Sequence, residues 1–187
     1  MIQDRDRSNY FGASDTSMVV GNRKTKTFKN WWCEKLGIGG NDFSTKAMKV
    51  GNAYEHRILE YLGLTEDEMD LQIIIPELHF RVNYDGVKDG RIYEVKTYKA
   101  DEFKVSKQYW RQAQAEMLAY KLMYGKVPEL RIVAYRVTDD EYENYFKDIT
   151  DRQLTMIPVS YDPEFTNGLV ASLKELGDYL DKGVMPK

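Results

Sequence analysis

The stretch His79-Phe80-Arg81-Val82-Asn83-Tyr84-Asp85-Gly86-Val87-Lys88-Asp89-Gly90-Arg91-Ile92-Tyr93-Glu94-Val95-Lys96-Thr97-Tyr98 decides how the rest of the chain is read. Asp89-Gly90 is a strong short hairpin signal, because a type I′ turn needs positive φ at both central residues. The residues on either side alternate as strands do. With that turn Asp85 faces Glu94, Asn83 faces Lys96 and Arg81 faces Tyr98, while Tyr84/Val95 and Val82/Thr97 fall on the opposite side. One face is then apolar and suits a core, and the other carries two acids, a lysine and an amide. Directly opposed side chains stand roughly 5 Å apart at Cβ, and like charges placed there repel. A cation between them removes the conflict. Hard carboxylate oxygens suit Mg²⁺ or Mn²⁺, which also takes oxygens from a phosphate. The pattern therefore predicts a metal-dependent phosphodiester site. Asp85-Gly86 is a rival turn under which the Asp85–Glu94 pairing vanishes, but the Asp89-Gly90 register gathers the large apolar residues on one side.

The 187 residues suffice for one domain with a substantial core and are too few for two, so residues 1–187 are read as a single unit. Hydrophobic content of 42% with 30% charged residues is that of a soluble globular protein. No apolar run approaches a membrane span, and Met1-Ile-Gln-Asp-Arg-Asp-Arg7 lacks the apolar core of a signal peptide. A lone cysteine, Cys33, cannot form an internal disulfide, which points to a reducing cytoplasm. His56 and His79 without a cysteine cluster argue against structural zinc and against a histidine-rich phosphohydrolase centre. The net charge of −3 argues against broad nonspecific nucleic-acid binding, but its distribution is uneven. From Lys88 to Arg111 seven basic residues oppose four acids, and Arg23, Lys24, Lys26 and Lys29 form a second basic run. Such runs fit a local phosphate-binding strip on an acidic body.

Helical periodicity is expected at Ser14–Val20, Thr27–Leu36, Lys46–Leu62, Lys107–Tyr124 and Glu164–Leu180. Strands are expected at Leu71–Ile75, Leu78–Asp85, Arg91–Tyr98, Leu130–Val137 and Leu154–Val159, with a further one at Tyr142–Asp148. Helices, then a sheet, a helix, more sheet and a last helix imply a single α/β domain with a central mixed sheet flanked by helices.

Other residues could serve the same site. Glu55 lies at the rim of the apolar stripe of the long helix, on nearly one side with Gly51, so its carboxylate can point at the sheet. Gln112 and Gln114 follow on the helix after Lys96. One of them is expected to steady Lys96 or a metal-bound water, the other to face solvent. Ser14, read as a helix N-cap, and Arg7 would make a workable anion pocket.

Gly51-x-x-x-Glu55, then Asp85, then Glu94-Val95-Lys96, then a helix bearing Gln112, resembles the PD-(D/E)xK nuclease superfamily. The opening Arg7-Ser-Asn-Tyr-Phe-Gly-Ala-Ser14 resembles the Arg-then-Gly-x-Ser start of YqaJ-type viral recombinases and phage lambda-type alkaline exonucleases. The resemblance runs from Arg7 to about Tyr120; the proline of the superfamily name is replaced by Tyr84. It implies that Asp85, Glu94, the Val95 main-chain carbonyl and Glu55 hold Mg²⁺ or Mn²⁺. Lys96 would position the attacking water, Gln112 would steady that lysine, and Arg7 and Ser14 would hold a terminal 5′-phosphate. It further implies a 5′-to-3′ exonuclease on linear double-stranded DNA ends. It would work as a homo-oligomeric ring beside a single-strand annealing protein, in a bacterial host cytoplasm and encoded by a phage or prophage. Competing readings are an endonuclease, a RecB-like single-strand nuclease, or an inactive DNA-end-binding protein.

Overall fold

The computed structural model describes residues 8–38, 45–144 and 147–187. At its centre the Asp89-Gly90 turn forms as read: both residues have positive φ, 52° and 76°, and they join β2 (Phe80–Lys88) to β3 (Arg91–Tyr98). The expected register holds at the tip, with Lys88 opposite Arg91, Val87 opposite Ile92 and Gly86 opposite Tyr93. Three further strands, β1 (Met69–Ile75), β4 (Glu129–Arg136) and β5 (Leu154–Val159), complete a sheet of order β1-β2-β3-β4-β5. Only β3 and β4 run parallel, so the sheet is mixed. A parallel pair needs a crossover, and α4 (Lys107–Tyr124) supplies it. The ends of α4 are fixed locally: the Ser106 hydroxyl accepts from the Tyr109 N–H, and Gly125 ends the helix at φ 73°.

Helices cover both faces. On one face α4 packs with α1 (Thr16–Val19), α2 (Lys26–Lys35) and α6 (Pro163–Asp181) over Val82, Tyr84, Ile92 and Ile132. On the other, α3 (Lys46–Tyr61) lays Val50, Tyr54, Ile58 and Leu59 on Tyr93, Val95, Val133 and Tyr135. Ala47 and Tyr61, apolar residues of the same helix, are exposed, and Leu59 is fully buried. The start of the strand expected at Tyr142–Asp148 belongs instead to a short helix, α5 (Asp139–Glu143), and residues 145 and 146 lie outside the described residues. Its start is a capping box in which Thr138 and Glu141 satisfy each other's backbone N–H groups.

The main departure from the expected hairpin lies below its tip. The β2–β3 ladder stops at Gly86/Tyr93, whereas β1–β2 pairing runs on to Ile75/Phe80 and β3–β4 pairing to Tyr98/Arg136. The two strands part, each keeping its outer neighbour. Asp85/Glu94, Asn83/Lys96 and Arg81/Tyr98 are therefore not ladder partners. Side-chain alternation also slips by one residue at Asp85. Tyr84 and Val87 both pack on the α4 side, while a Cβ on Gly86 would lie 2.5 Å from Leu64 and 3.0 Å from Leu59 on the α3 side. The β1–β2 register is the same on either side, Met69 opposite Gly86 and Leu71 opposite Tyr84, so the slip comes from local backbone geometry and not from an inserted residue. Gly86 thus serves close packing rather than a turn. Tyr84 and Val95, expected on one apolar face, lie on opposite faces of the sheet.

The residues before α1 partly fill the gap. Phe11 makes an isolated parallel bridge to Phe80, donating to the His79 carbonyl at 2.6 Å and accepting from Arg81 N–H at 2.9 Å. His79 holds this segment from behind: Nδ1 lies 3.1 Å from the Asn9 carbonyl and Nε2 lies 3.1 Å from Asp181 on α6.

Candidate active site

The split between β2 and β3 brings the sequence-predicted acids together. Just past the end of the β2–β3 ladder, Asp85 turns its Oδ2 to the Val95 N–H at 2.7 Å, so a carboxylate replaces the main-chain partner that the ladder would have supplied. Glu94 is 3% exposed, and Lys96, two residues on along the same strand face, forms an ion pair with Glu94 Oε1. The Lys96 ammonium also sits 5.4 Å from the centre of the Tyr109 ring, a cation–π distance. From α4, Gln112 Nε2 donates to the same Glu94 Oε1 at 2.6 Å and to Glu116 Oε1 at 2.9 Å. Glu55 reaches the group from α3, which packs on β3 with Gly51 facing Thr97; a Cβ there would meet Thr97 Oγ1 at an ordinary 3.7 Å.

Electrostatics follow from this crowding. Burial, then the charges of Glu94 and Glu55, push the Asp85 carboxyl well above its ordinary range. Burial and then Glu94 do the same to Glu116. Glu55 is raised by burial and by Glu94, with His56 opposing. Lys96 experiences burial that would lower it, but Glu94 and Asp85 together outweigh that and raise it. Four carboxyls thus share one ammonium. Buried carboxyls in this number favour either a bound proton or a nearby cation. Several carboxylate oxygens beside a main-chain carbonyl form the hard donor set that Mg²⁺ or Mn²⁺ takes.

A cavity of about 110 Å³ adjoins the group, lined by Tyr10, Gly12, Ser14, Lys35, Arg81 and Gln112 among others. Gln112 is the shared wall, facing this cavity and bonding Glu94. Ser14 is exposed within a 3-10 turn (Ala13–Asp15) and does not cap α1, whose N-cap residue is Asp15. Lys35, 2% exposed, is anchored to Asp15 at 2.6 Å, and the Arg81 guanidinium lies 5.5 Å from the Tyr10 ring. Arg7 lies outside the described residues.

Gln112, not Gln114, joins the site. Gln114 does not face solvent as expected: it is fully buried, donates to the Ser160 carbonyl and accepts from the Asp162 N–H, both at 2.8 Å, so it pins the loop between β5 and α6. Glu116 was not identified from sequence, although it lies one helical turn from Gln112. Also missed were His56 and Asp70, which with Glu55 bring their ligand atoms within 4.8 Å of one another. The adjacency of His56 to Glu55 was a usable signal. The expected basic strip is largely spent on ion pairs, Lys88 with Glu68, Arg91 with Glu129, Lys99 with Asp139 and Arg23 with Glu175.

The model of the YqaJ-like viral recombinase domain family matches residues 4–128. Among solved structures, an alkaline exonuclease from Laribacter hongkongensis superposes with a TM-score of 0.66 at 18% identity, covering 94% of this chain and 90% of its own. The same exonuclease in complex with dAMP also superposes, again with a TM-score of 0.66. A phage-related exonuclease from Haemophilus somnus 129PT gives 0.61 at 16% identity, covering 92% and 95%. These likenesses show a shared fold. No curated protein matches the chain in sequence. Among the described residues no helix is long and apolar enough to cross a membrane.

Proposed function

The chain belongs to the YqaJ-like viral recombinase domain family, and on that premise we propose that residues 1–187 act as one metal-dependent exonuclease unit on linear double-stranded DNA ends. The observation that carries this reading is the four-carboxyl, one-lysine group in the gap between β2 and β3. Asp85, Glu94, the Val95 main-chain carbonyl and Glu55 would hold Mg²⁺ or Mn²⁺. Such an ion supplies Lewis acidity toward a phosphate oxygen and lowers the pKa of a water. The protein's own groups do the rest. Asp85, tied to the Val95 N–H, cannot rotate away from Glu94. Lys96, held as an ammonium by its carboxylate neighbours, donates hydrogen bonds toward the attacked phosphate and stabilises the charge that grows there. Gln112 fixes the Glu94 oxygen that Lys96 shares. Ser14, in the adjoining cavity, would accept a terminal 5′-phosphate together with Arg7, giving 5′-to-3′ polarity. A homo-oligomeric ring and a single-strand annealing protein would complete a recombination role in the host cytoplasm.

End-labelled linear duplex DNA, with or without a 5′-phosphate, is compared with closed circular DNA in Mg²⁺ and in EDTA. The proposal expects mononucleotide release from linear DNA only, dependent on the metal and faster on phosphorylated ends. Cleavage of the closed circle at a similar rate would make the protein an endonuclease. Indifference to the 5′-phosphate would remove Ser14 and Arg7 from the account.

A further inference from the structure

Glu116 is fully buried, and its Oε2 has no hydrogen-bond partner. A leucine or methionine would fill the same space without the cost of an unsatisfied buried acceptor. Some contact must use the carboxylate, and the hydrogen bonds identify it. Gln112 Nε2 has two protons, and both are engaged, one by Glu94 Oε1 and one by Glu116 Oε1. A flipped amide would bring its carbonyl oxygen against the Glu94 oxygen that Lys96 also binds, so these contacts favour one orientation of Gln112. Gln112 and Lys96 converge on Glu94 Oε1, which sets the rotation of that carboxyl group. The Glu116 backbone is held as well, since its carbonyl accepts from the Tyr84 hydroxyl at 2.9 Å, one residue before Asp85. A single residue of α4 thus ties β2, through Tyr84, to β3, through Gln112 and Glu94, across the gap.

We infer that Glu116 is a positioning residue that acts through Gln112 to orient Glu94 for the metal-dependent reaction. This rests on the exonuclease reading above. Glu116→Met fills the space but offers no comparable acceptor, whereas Glu116→Gln keeps a carbonyl acceptor for Gln112. With linear duplex DNA at saturating Mg²⁺, Glu116→Met should lower kcat about 10–100-fold, the range for a residue that orients a metal ligand. Its KM for DNA should stay within about twofold and its melting temperature should not fall. Glu116→Gln should restore turnover to within about threefold of the wild type. Adding Glu116→Met to Gln112→Ala should cost no more than Gln112→Ala alone, because the two act in series. Additive losses, an undiminished Glu116→Met protein, or a Glu116→Gln protein as slow as Glu116→Met would each overturn the assignment. A second readout does not depend on activity. In the metal-free protein, hydrogen exchange of the Gln112 side-chain amide, followed by ¹⁵N NMR, should speed up about tenfold or more in Glu116→Met and not in Glu116→Gln. A wild type inactive in both Mg²⁺ and Mn²⁺ would sink the exonuclease reading; unchanged amide exchange would sink this one separately.

Discussion

Near its tip the β2–β3 hairpin is a regular ladder of three pairs closed by Asp89 and Gly90; past Gly86 it is a gap edged with carboxylates. The tip satisfies backbone with backbone and needs only turn chemistry and alternation. The base exchanges a main-chain partner for the Asp85 side chain, so the acids are held by both strands without the sheet closing over them. Paired strands lie about 4.8 Å apart, which leaves no room for a phosphodiester between them. The early end of the β2–β3 ladder at Gly86 and Tyr93 is what opens the middle of the sheet.

The comparison can be tested by breaking each half in turn. Asp85→Ala should reduce cleavage of labelled duplex by at least about 10³-fold, the scale of losing a preorganised electrostatic element. Lys88→Ala, at the tip, should leave the rate within about twofold; an active Asp85→Ala protein would end the idea that the gap is the reactive half. The two glutamines of α4 sharpen the contrast. Gln112→Ala should cost about 10–100-fold in turnover with little change in melting. Gln114→Ala should instead lose about 1–3 kcal/mol of stability by denaturant titration, with turnover per folded molecule preserved. Reversed outcomes would mean that the hydrogen bonds to Glu94 and to the β5–α6 loop have been given the wrong importance. At the turn, Gly90→Ala puts a Cβ on a residue with φ 76° and should cost about 1–2 kcal/mol without slowing the folded enzyme.

The smallest effect is a pH dependence. Asp85 and Glu116 have carboxyls raised above their unfolded values, so the folded state binds more protons than the unfolded state in that window. Stability of the metal-free protein should therefore fall as pH rises above the ordinary carboxylate range. Added Mg²⁺ should reverse the slope, and thermal melts across pH with Mg²⁺ or EDTA read this directly. A metal-free melting temperature that climbs over the same range would contradict the crowding of acids in the gap.

Much of this architecture is legible in the chain, for identifiable reasons. The bounds of α4 and β5 are those expected, since Ser106, Gly125 and the β5 alternation carry local signals. The Asp89-Gly90 turn is equally local. Asp85, Glu94, Lys96, Glu55 and Gln112 could be named because their residue types and order carry the resemblance. What escaped was set by distant contacts. Whether the ladder continues past Gly86 depends on Leu59 and Leu64, which occupy the side of Gly86, and on Phe11, which takes the edge of β2. Gln114 looked like a solvated residue because its partners, Ser160 and Asp162, lie more than forty residues away. The strand expected at Tyr142–Asp148 is a different kind of miss, since Thr138-x-x-Glu141 is a readable helix start.

The hold of His79 on both Asn9 and Asp181 has a consequence for biosynthesis. Residues near the start of the chain line the small cavity, yet their brace comes from the last helix, so a ribosome must release residue 181 before that lining can settle. Nascent chains that have not yet released α6 would carry the acids of the gap without a finished wall beside them.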